Sequence, residues 1–432
     1  MSKKSIFTSI FSIFSTNIFI IVLVLISGII LPRLLNPGAL GRLNSLIALA
    51  AIVYSFAFLG MRSSLVMHLG KKKFEEQQII SALVYIFLLS IIISTLALLS
   101  FFFFLSNDHF PIIIILLVCL INPFEFIISY MQGYNLSMSR FGNFNRLKWV
   151  PKLVYLLAIL IFVGLLGWNV RGALFAVILA NLITLLFYLG MYRGTLSGFK
   201  LDKIPIKVIK SLIGYGSLYA LAFLVTRLNH KIDILILKRM GDIAEVGFYS
   251  LGVNVAETIW QVPIAIGVVL MTRTANQVNE RVATGEVCST LRISLLVVLF
   301  AALILYLLAP QLVTILFGER YSDSIPIIRT ILPGILFFVI LKILNSQFIG
   351  AGKPQLTMVA LVPALVINIV LNILFIPSYK GIGAAMATNI SYFSASFLLL
   401  LVYSRTFKTG LLEIFRYRRS DFAFIRNIRL KR

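Results

Sequence analysis

Apolar residues in this chain fall into long uninterrupted runs separated by short polar segments. A helix needs about 20 apolar residues to cross the roughly 30 Å hydrocarbon core of a bilayer. Twelve runs approach that length, near residues 10–32, 43–67, 79–105, 111–137, 149–167, 172–192, 211–237, 246–271, 293–317, 325–350, 356–377 and 381–404. The pattern predicts an all-α polytopic membrane protein with about twelve transmembrane helices. The longest connection, 193–210, is basic and lies in the middle of the chain. It divides the sequence into an N-terminal six-helix lobe (1–192), a cytoplasmic linker (193–210), a C-terminal six-helix lobe (211–404) and a basic tail (405–432).

The two halves echo each other. NPGALG at 36–41 resembles DIAEVG at 242–247, each between the first and second span of its half, and NVRGALFAV at 169–177 resembles KGIGAAMAT at 380–388, each opening a sixth span. Similar segments in the same order at nearly constant offset indicate parallel internal repeats, a transporter plan that puts the substrate site between halves.

Composition agrees with the pattern. Of 432 residues 60% are hydrophobic and 12% charged, where soluble domains carry about 25% charged residues, and the mean hydropathy is +1.00. The formal charge of +24 sits in loops between apolar runs, so it speaks for topology and against nucleic-acid binding. With the N-terminus inside, the inner loops hold Lys71, Lys72, Lys73, Arg140, Arg146, Lys148, the 193–210 cluster, Arg273, Arg281, Arg292, Lys353 and the tail. The outer loops hold far fewer cations, which predicts both termini in the cytoplasm. The first apolar run, after Lys3 and Lys4, reads as an uncleaved span. The tail, amphipathic and basic, is expected to lie on the anionic inner leaflet. Cys119 and Cys288 have neither CxxC nor Cys/His spacing, so no disulfide framework or zinc site is indicated.

Charges inside spans are costly and mark function or internal pairing. They concentrate in residues 226–263, TRLNHKIDILILKRMGDIAEVGFYSLGVNVAETIWQVP. At 3.6 residues per turn Arg227, His230 and Lys231 share one helix face and Asn229 and Asp233 the opposite one. Asn254, Glu257, Thr258 and Gln261 then form a polar stripe at i, i+3, i+4 and i+7. A second stripe, Asn122, Glu125, Ser129 and Gln132, runs along the fourth span. Within the spans Arg62, Lys152, Arg227, Lys231, Arg329 and Lys342 face only three acids, Glu125, Asp233 and Glu257. That sign favours an anionic cargo. The plainer alternative is that terminal cations snorkel to headgroups while Asn368 and Asn372 hold helices together. Short outer loops, scattered histidines (His68, His109, His230) and the absence of GxSxG, HExxH or Walker A sequences speak against an enzyme. A glycosyltransferase or polymerase is therefore disfavoured, as is an exporter of cations or drugs, which would need carboxylates in excess.

LPRLLNPGALG (31–41), the seventh-span Asp233 followed by GDIAEVGFYSLGVNVAETIWQVP (241–263), NSQFIGAGKPQ (345–355) and KGIGAAMAT (380–388) together resemble the polysaccharide-biosynthesis transporters of the Wzx type. These are the O-unit flippases of the MOP superfamily, which also contains MATE exporters and lipid II flippases. The resemblance covers about residues 5–405 and implies a MATE-like fold of two six-helix lobes around a central cavity. It implies a bacterial inner-membrane protein that moves undecaprenyl-pyrophosphate-linked oligosaccharide to the outer leaflet by alternating access. Polysaccharide polymerase and chain-length machinery are then candidate partners. Arg62, Arg227, Lys231, Lys342, Asn254 and Gln261 are the candidate substrate contacts. Glu125, Asp233 and Glu257 are the candidate cavity or ion-coupling acids. No cofactor is expected; coupling to protons, sodium or the membrane potential is left open.

Overall fold

The computed structural model describes residues 3–71, 73–105, 110–138, 140–192, 206–261, 280–418 and 421, with isolated positions between 262 and 279. Most of the expected linker (193–205), the end of the eighth span and tail residues 422–432 lie outside the described residues. Every regular element among the described residues is helical. Among the described residues ten helices are long and apolar enough to cross a membrane. They account for eleven of the expected spans, because Met358–Phe407 holds two: at Lys380 the backbone turns out of helical geometry (φ 49°, ψ −129°). The eighth span is described only in its first part, Ile243–Glu257 and the turn after it. Exposed leucine, isoleucine and phenylalanine side chains cover the long helices, including Phe104, Leu165 and Phe300. A surface of that kind needs lipid around it.

The chain forms two compact units, 1–231 and 232–432. The division falls later than residue 211, where the sequence suggested the second lobe would begin. The reason lies in the seventh-span helix, whose first turns carry Val208 and Leu212 into the core of the first unit.

The first unit contains α1 (Lys3–Leu34), α2 (Pro37–Ala57), α3 (Met61–Gly70), α4 (Glu76–Ser100), α5 (Ile112–Ser137), α6 (Phe141–Ile159), α7 (Asn169–Met191) and α8 (Ile206–Met240) as far as Lys231. The expected second span is broken between α2 and α3, where Leu59 (φ 53°) and Gly60 (φ 63°) are left-handed. Only glycine fits the second of these positions, since a Cβ on Gly60 would stand 2.2 Å from the Gly216 carbonyl oxygen of α8. Small residues let backbones approach where lipid offers no hydrophobic drive for association. Rings of Tyr54, Phe58, Phe126 and Tyr130 stack beside the break. The break thus fixes Arg62, two residues on, against α5.

The second unit contains the rest of α8, α9 (Ile243–Glu257), α10 (Glu280–Phe317), α11 (Ser324–Gly350), α12 (Met358–Phe407) and the short α13 (Leu411–Phe415). Its centre is α11, packed by α9, α10 and α12. Pro333 interrupts the backbone ladder of α11, and Asn389 of α12 repairs it. Its amide accepts from Gly334 N–H at 2.8 Å and donates to the Thr330 carbonyl.

The repeats expected from the sequence have matching local structure. Asn36 and Asp242 both serve as extended N-caps (φ −79° in each), opening α2 and α9. Asn169 and Lys380 both have positive φ (52° and 49°). Three residues after each, Gly172 and Gly383 press on a carbonyl of the preceding helix: a Cβ would lie 2.9 Å from the Phe162 oxygen and 2.5 Å from the Phe375 oxygen respectively.

The first part of the tail folds back on α10, which extends well beyond the apolar run at 293–317 and carries Arg292 on its added turns. Arg292 donates to both carboxylate oxygens of Asp421 at 2.7 Å and to the Ile414 carbonyl at 2.9 Å. Both side chains of the pair are buried.

Candidate functional site

In the first unit the polar stripe of α5 faces away from the exposed apolar one. Glu125 is about two and a half turns from Leu116, hence on the opposite side of the helix. Leu116 is exposed to lipid, while Glu125 is exposed on the other face, with Asn122 buried one turn before it. An exposed carboxylate at mid-span, facing away from the lipid stripe, marks a polar space beside the helix.

Four cations and a tyrosine surround that space. Glu125 lies within electrostatic reach of Lys152 on α6 and Arg227 on α8. Tyr54 of α2 senses both Glu125 and Arg227, and its hydroxyl stands 2.6 Å from that of Ser129. Arg62 is in turn coupled to Tyr54 and donates to Gln132 Oε1 at 3.3 Å. Gln132 completes the line by donating to the Leu147 carbonyl at 3.5 Å. Lys148 of α6 is coupled to Arg62 and donates to Asn17 Oδ1 of α1 at 2.8 Å. The result is one chain of interacting groups, Lys148, Arg62, Tyr54, Arg227, Glu125 and Lys152, with four positive charges against one negative. Lys148 was placed in a loop by its sequence position. Its helix begins earlier than the apolar run, at Phe141, which brings it to the site.

The faces expected of α8 are present. Asn229 and Asp233 are buried, Arg227 is exposed and His230 and Lys231 are half-buried. Tyr219, Phe223, Arg227 and Lys231 recur every four residues along this face, giving an aromatic and cationic row that charge counting alone did not reveal. Such a row suits a ligand with both sugar faces and phosphate.

The second unit groups its candidates differently. Trp260 and Phe338 stack with ring centres 4.4 Å apart, and Phe338 and Tyr392 at 4.5 Å. Lys342 Nζ sits 4.7 Å from the Phe338 ring centre and 5.9 Å from that of Trp260, with Glu257 in electrostatic reach. Asn254 is exposed and Gln261 half-buried on the same stripe as Glu257. Asp233 stands apart. It is buried, accepts from the Tyr249 hydroxyl and from Ile234 N–H, and the same tyrosine reaches Thr388 at 3.3 Å. This is an internal polar cluster joining α8, α9 and α12, which removes Asp233 from the groups able to meet a cargo. Arg329 also drops out: it packs 5.0 Å from the exposed Tyr306 ring and donates to the Tyr306 carbonyl. Asn368 and Asn372 are fully buried on α12, and Asn372 donates to Asn368 within that helix, a contact along one helix rather than between two.

The chain is similar to known proteins in fold and in sequence. Lipid II flippase MurJ, in an inward closed conformation, superposes with a TM-score of 0.69 at 15% identity over 96% of this chain and 95% of that one. An inward-facing multidrug resistance MATE family transporter of the MOP superfamily gives 0.64 at 15% identity, over 90% and 94%. At such identities these likenesses establish the fold. A Shigella flexneri protein described as an O-antigen transporter is 25% identical over 200 residues, 46% of this chain and 48% of that protein, so the chain spans about half the length of this curated relative. The polysaccharide biosynthesis protein profile matches residues 30–326, well over half of the sequence. This multi-pass membrane protein, built on the MOP-superfamily fold, belongs to the polysaccharide biosynthesis protein family.

Proposed function

We propose that the protein is a flippase for undecaprenyl-pyrophosphate-linked oligosaccharide, moving it from the cytoplasmic to the outer leaflet of the bacterial inner membrane. The observation that carries this reading is the chain of Arg62, Lys148, Lys152 and Arg227 around the single Glu125 in the first unit. A pyrophosphate brings roughly two negative charges, and its hydration must be replaced before it enters hydrocarbon. Arg62 and Arg227 supply planar donors suited to bidentate phosphate contacts, and the lysines supply point charge. Glu125 offsets part of this field, so the site holds the headgroup without trapping it. The aromatic positions of the α8 row, Tyr219 and the exposed Phe223, offer faces for sugar rings.

Direction follows from physics. With the cell interior negative, outward movement of two negative charges is favoured by about 4 to 5 kcal/mol at 100 mV. The membrane potential therefore biases transport even without an ion site. The relatives named as an O-antigen transporter and a lipid II flippase support the cargo class. A cation exporter is the weaker reading, because the site's charge has the wrong sign.

The deciding experiment deletes the gene and asks on which leaflet the lipid-linked unit accumulates. Trapping on the cytoplasmic face, restored by wild-type protein and not by an Arg62→Ala, Arg227→Ala double mutant, is the expected result. Outer-leaflet accumulation in the deletion strain would overturn the assignment.

A further inference from the structure

A separate cavity lies on the opposite side of α5 from Glu125. A cavity of about 310 Å³ opens between α3, α4, α5 and the end of α7, lined by Leu83, Val84 and Phe87 from α4 and Ile127, Met131 and Tyr134 from α5. Leu116, Leu120, Ile127, Met131 and Tyr134 fall on one face of α5 by helical spacing. Leu116 and Leu120 are exposed to lipid, so the groove continues the lipid-facing surface and its body is apolar.

Beyond the lining residues Tyr134, Asn135 and Tyr192 stands a polar, charged cluster. Tyr134 donates to Glu76 at 2.6 Å, and Tyr192 donates to Asn135 Oδ1 at 2.6 Å. The exposed Arg140 guanidinium lies 5.9 Å from the Tyr134 ring centre and 5.7 Å from that of Tyr192, and donates to the Tyr192 hydroxyl at 3.3 Å. Asn143 donates to the same hydroxyl at 3.2 Å. Arg140 and Glu76 are within electrostatic reach of each other. An exposed cation and an exposed anion thus stand together beside one end of an apolar slot.

We propose that this groove binds a zwitterionic glycerophospholipid with a primary ammonium headgroup, phosphatidylethanolamine in class, from the leaflet on the side of the basic loops. An acyl chain fills the slot, the phosphate meets Arg140 and Asn143, and the ammonium meets Glu76. A purely anionic headgroup would face the Glu76 carboxylate, and a quaternary ammonium has no N–H to donate to it. The site rests on the chain being a membrane protein and is independent of which cargo it moves.

The test is native mass spectrometry of the full-length protein in detergent, with phosphatidylethanolamine, phosphatidylglycerol or phosphatidylcholine of identical chains added in turn. Phosphatidylethanolamine should be retained on the order of tenfold better than either, the size of one charge-assisted hydrogen bond. Glu76→Gln should erase its advantage over phosphatidylcholine, Arg140→Gln should weaken all three lipids, and Arg140→Lys should restore part of the binding. Val84→Trp, filling the slot, should abolish retention. Equal retention of the three headgroups by wild-type protein would overturn the proposal whatever the variants do. So would displacement of phosphatidylethanolamine by undecaprenyl phosphate, which would give the slot to the cargo's own tail. Because binding is read without transport, failure here leaves the flippase reading untouched, and the reverse holds.

Discussion

Lys380 meets Glu245 at 3.4 Å, and the other oxygen of the same carboxylate accepts from Gly381 N–H at 3.4 Å. Two segments that the sequence singled out as repeat motifs, DIAEVG and KGIGAAMAT, are therefore joined in one bend of the second unit. Of the two kinds of contact there, the backbone ones should dominate stability. Lys380 is largely exposed, and exposed ion pairs contribute about 0 to 1 kcal/mol. Gly383 instead has no room for a methyl group beside the Phe375 carbonyl, and forced overpacking costs about 1 to 3 kcal/mol. Gly383→Ala should lower the thermal unfolding midpoint of the detergent-solubilised protein clearly more than Glu245→Gln does.

Asn389 offers a second, independent measure of how this unit is held. Its one amide meets two backbone groups on either side of Pro333, the Gly334 N–H and the Thr330 carbonyl. Interhelical hydrogen bonds in membranes average about 0.6 kcal/mol and reach about 1.7. Asn389→Leu should therefore destabilise by about 1 to 2 kcal/mol. Pairing it with Pro333→Ala, which removes the ring that holds the helix open and lets Gly334 N–H bond the Thr330 carbonyl directly, should recover part of that loss in the same melting assay.

The helical class, the number of spans and the repeats were legible because bilayer thickness imposes run length, and because a bend such as that at Asn169 or Lys380 needs particular small residues after it. The site was legible only in part. Spacing alone showed that Glu125, Ser129 and Gln132 share a face and that Arg227 and Asp233 do not. Whether a charge faces a partner or a cargo depends on neighbouring helices, which periodicity does not report. Asp233 was claimed by Tyr249 and Arg329 by Tyr306, while Lys148 joined the site because its helix starts before its apolar run. The docking of the tail's first part was not legible for a related reason: its basic composition hid one acid, Asp421, that has a buried partner.

That partner makes the tail's docking predictable. The Arg292 guanidinium holds the Asp421 carboxyl well below the usual carboxylate range, aided by the Arg418 backbone N–H. A depressed folded-state value means that the contribution to stability is complete above the unfolded value near 3.9 and fades as pH falls below it. Docking of residues 411–421 should thus be unchanged between pH 5 and 8, in limited proteolysis of the intact protein. Asp421→Asn leaves Arg292 buried without its counter-charge, a loss of about 3 to 5 kcal/mol in comparable pairs. It should expose the tail to protease at every pH in that range.

The charge assignment makes the sharpest functional contrast. Arg62 and Arg329 are both intramembrane arginines by sequence, yet Arg62 is tied to Gln132 and Tyr54 beside Glu125 while Arg329 rests on Tyr306. Removing a charge-assisted phosphate contact costs about 1.5 to 3 kcal/mol, roughly ten- to a hundredfold in cargo affinity. Arg62→Gln and Arg227→Gln should each reduce surface polysaccharide in a complemented deletion strain, with Arg→Lys partly active at both positions because charge survives while the planar fork does not. Arg329→Gln should support near wild-type polysaccharide at equal protein abundance. If Arg329→Gln failed while Arg62→Gln succeeded, the cargo path would have to run along α10 and α11 instead of beside Glu125.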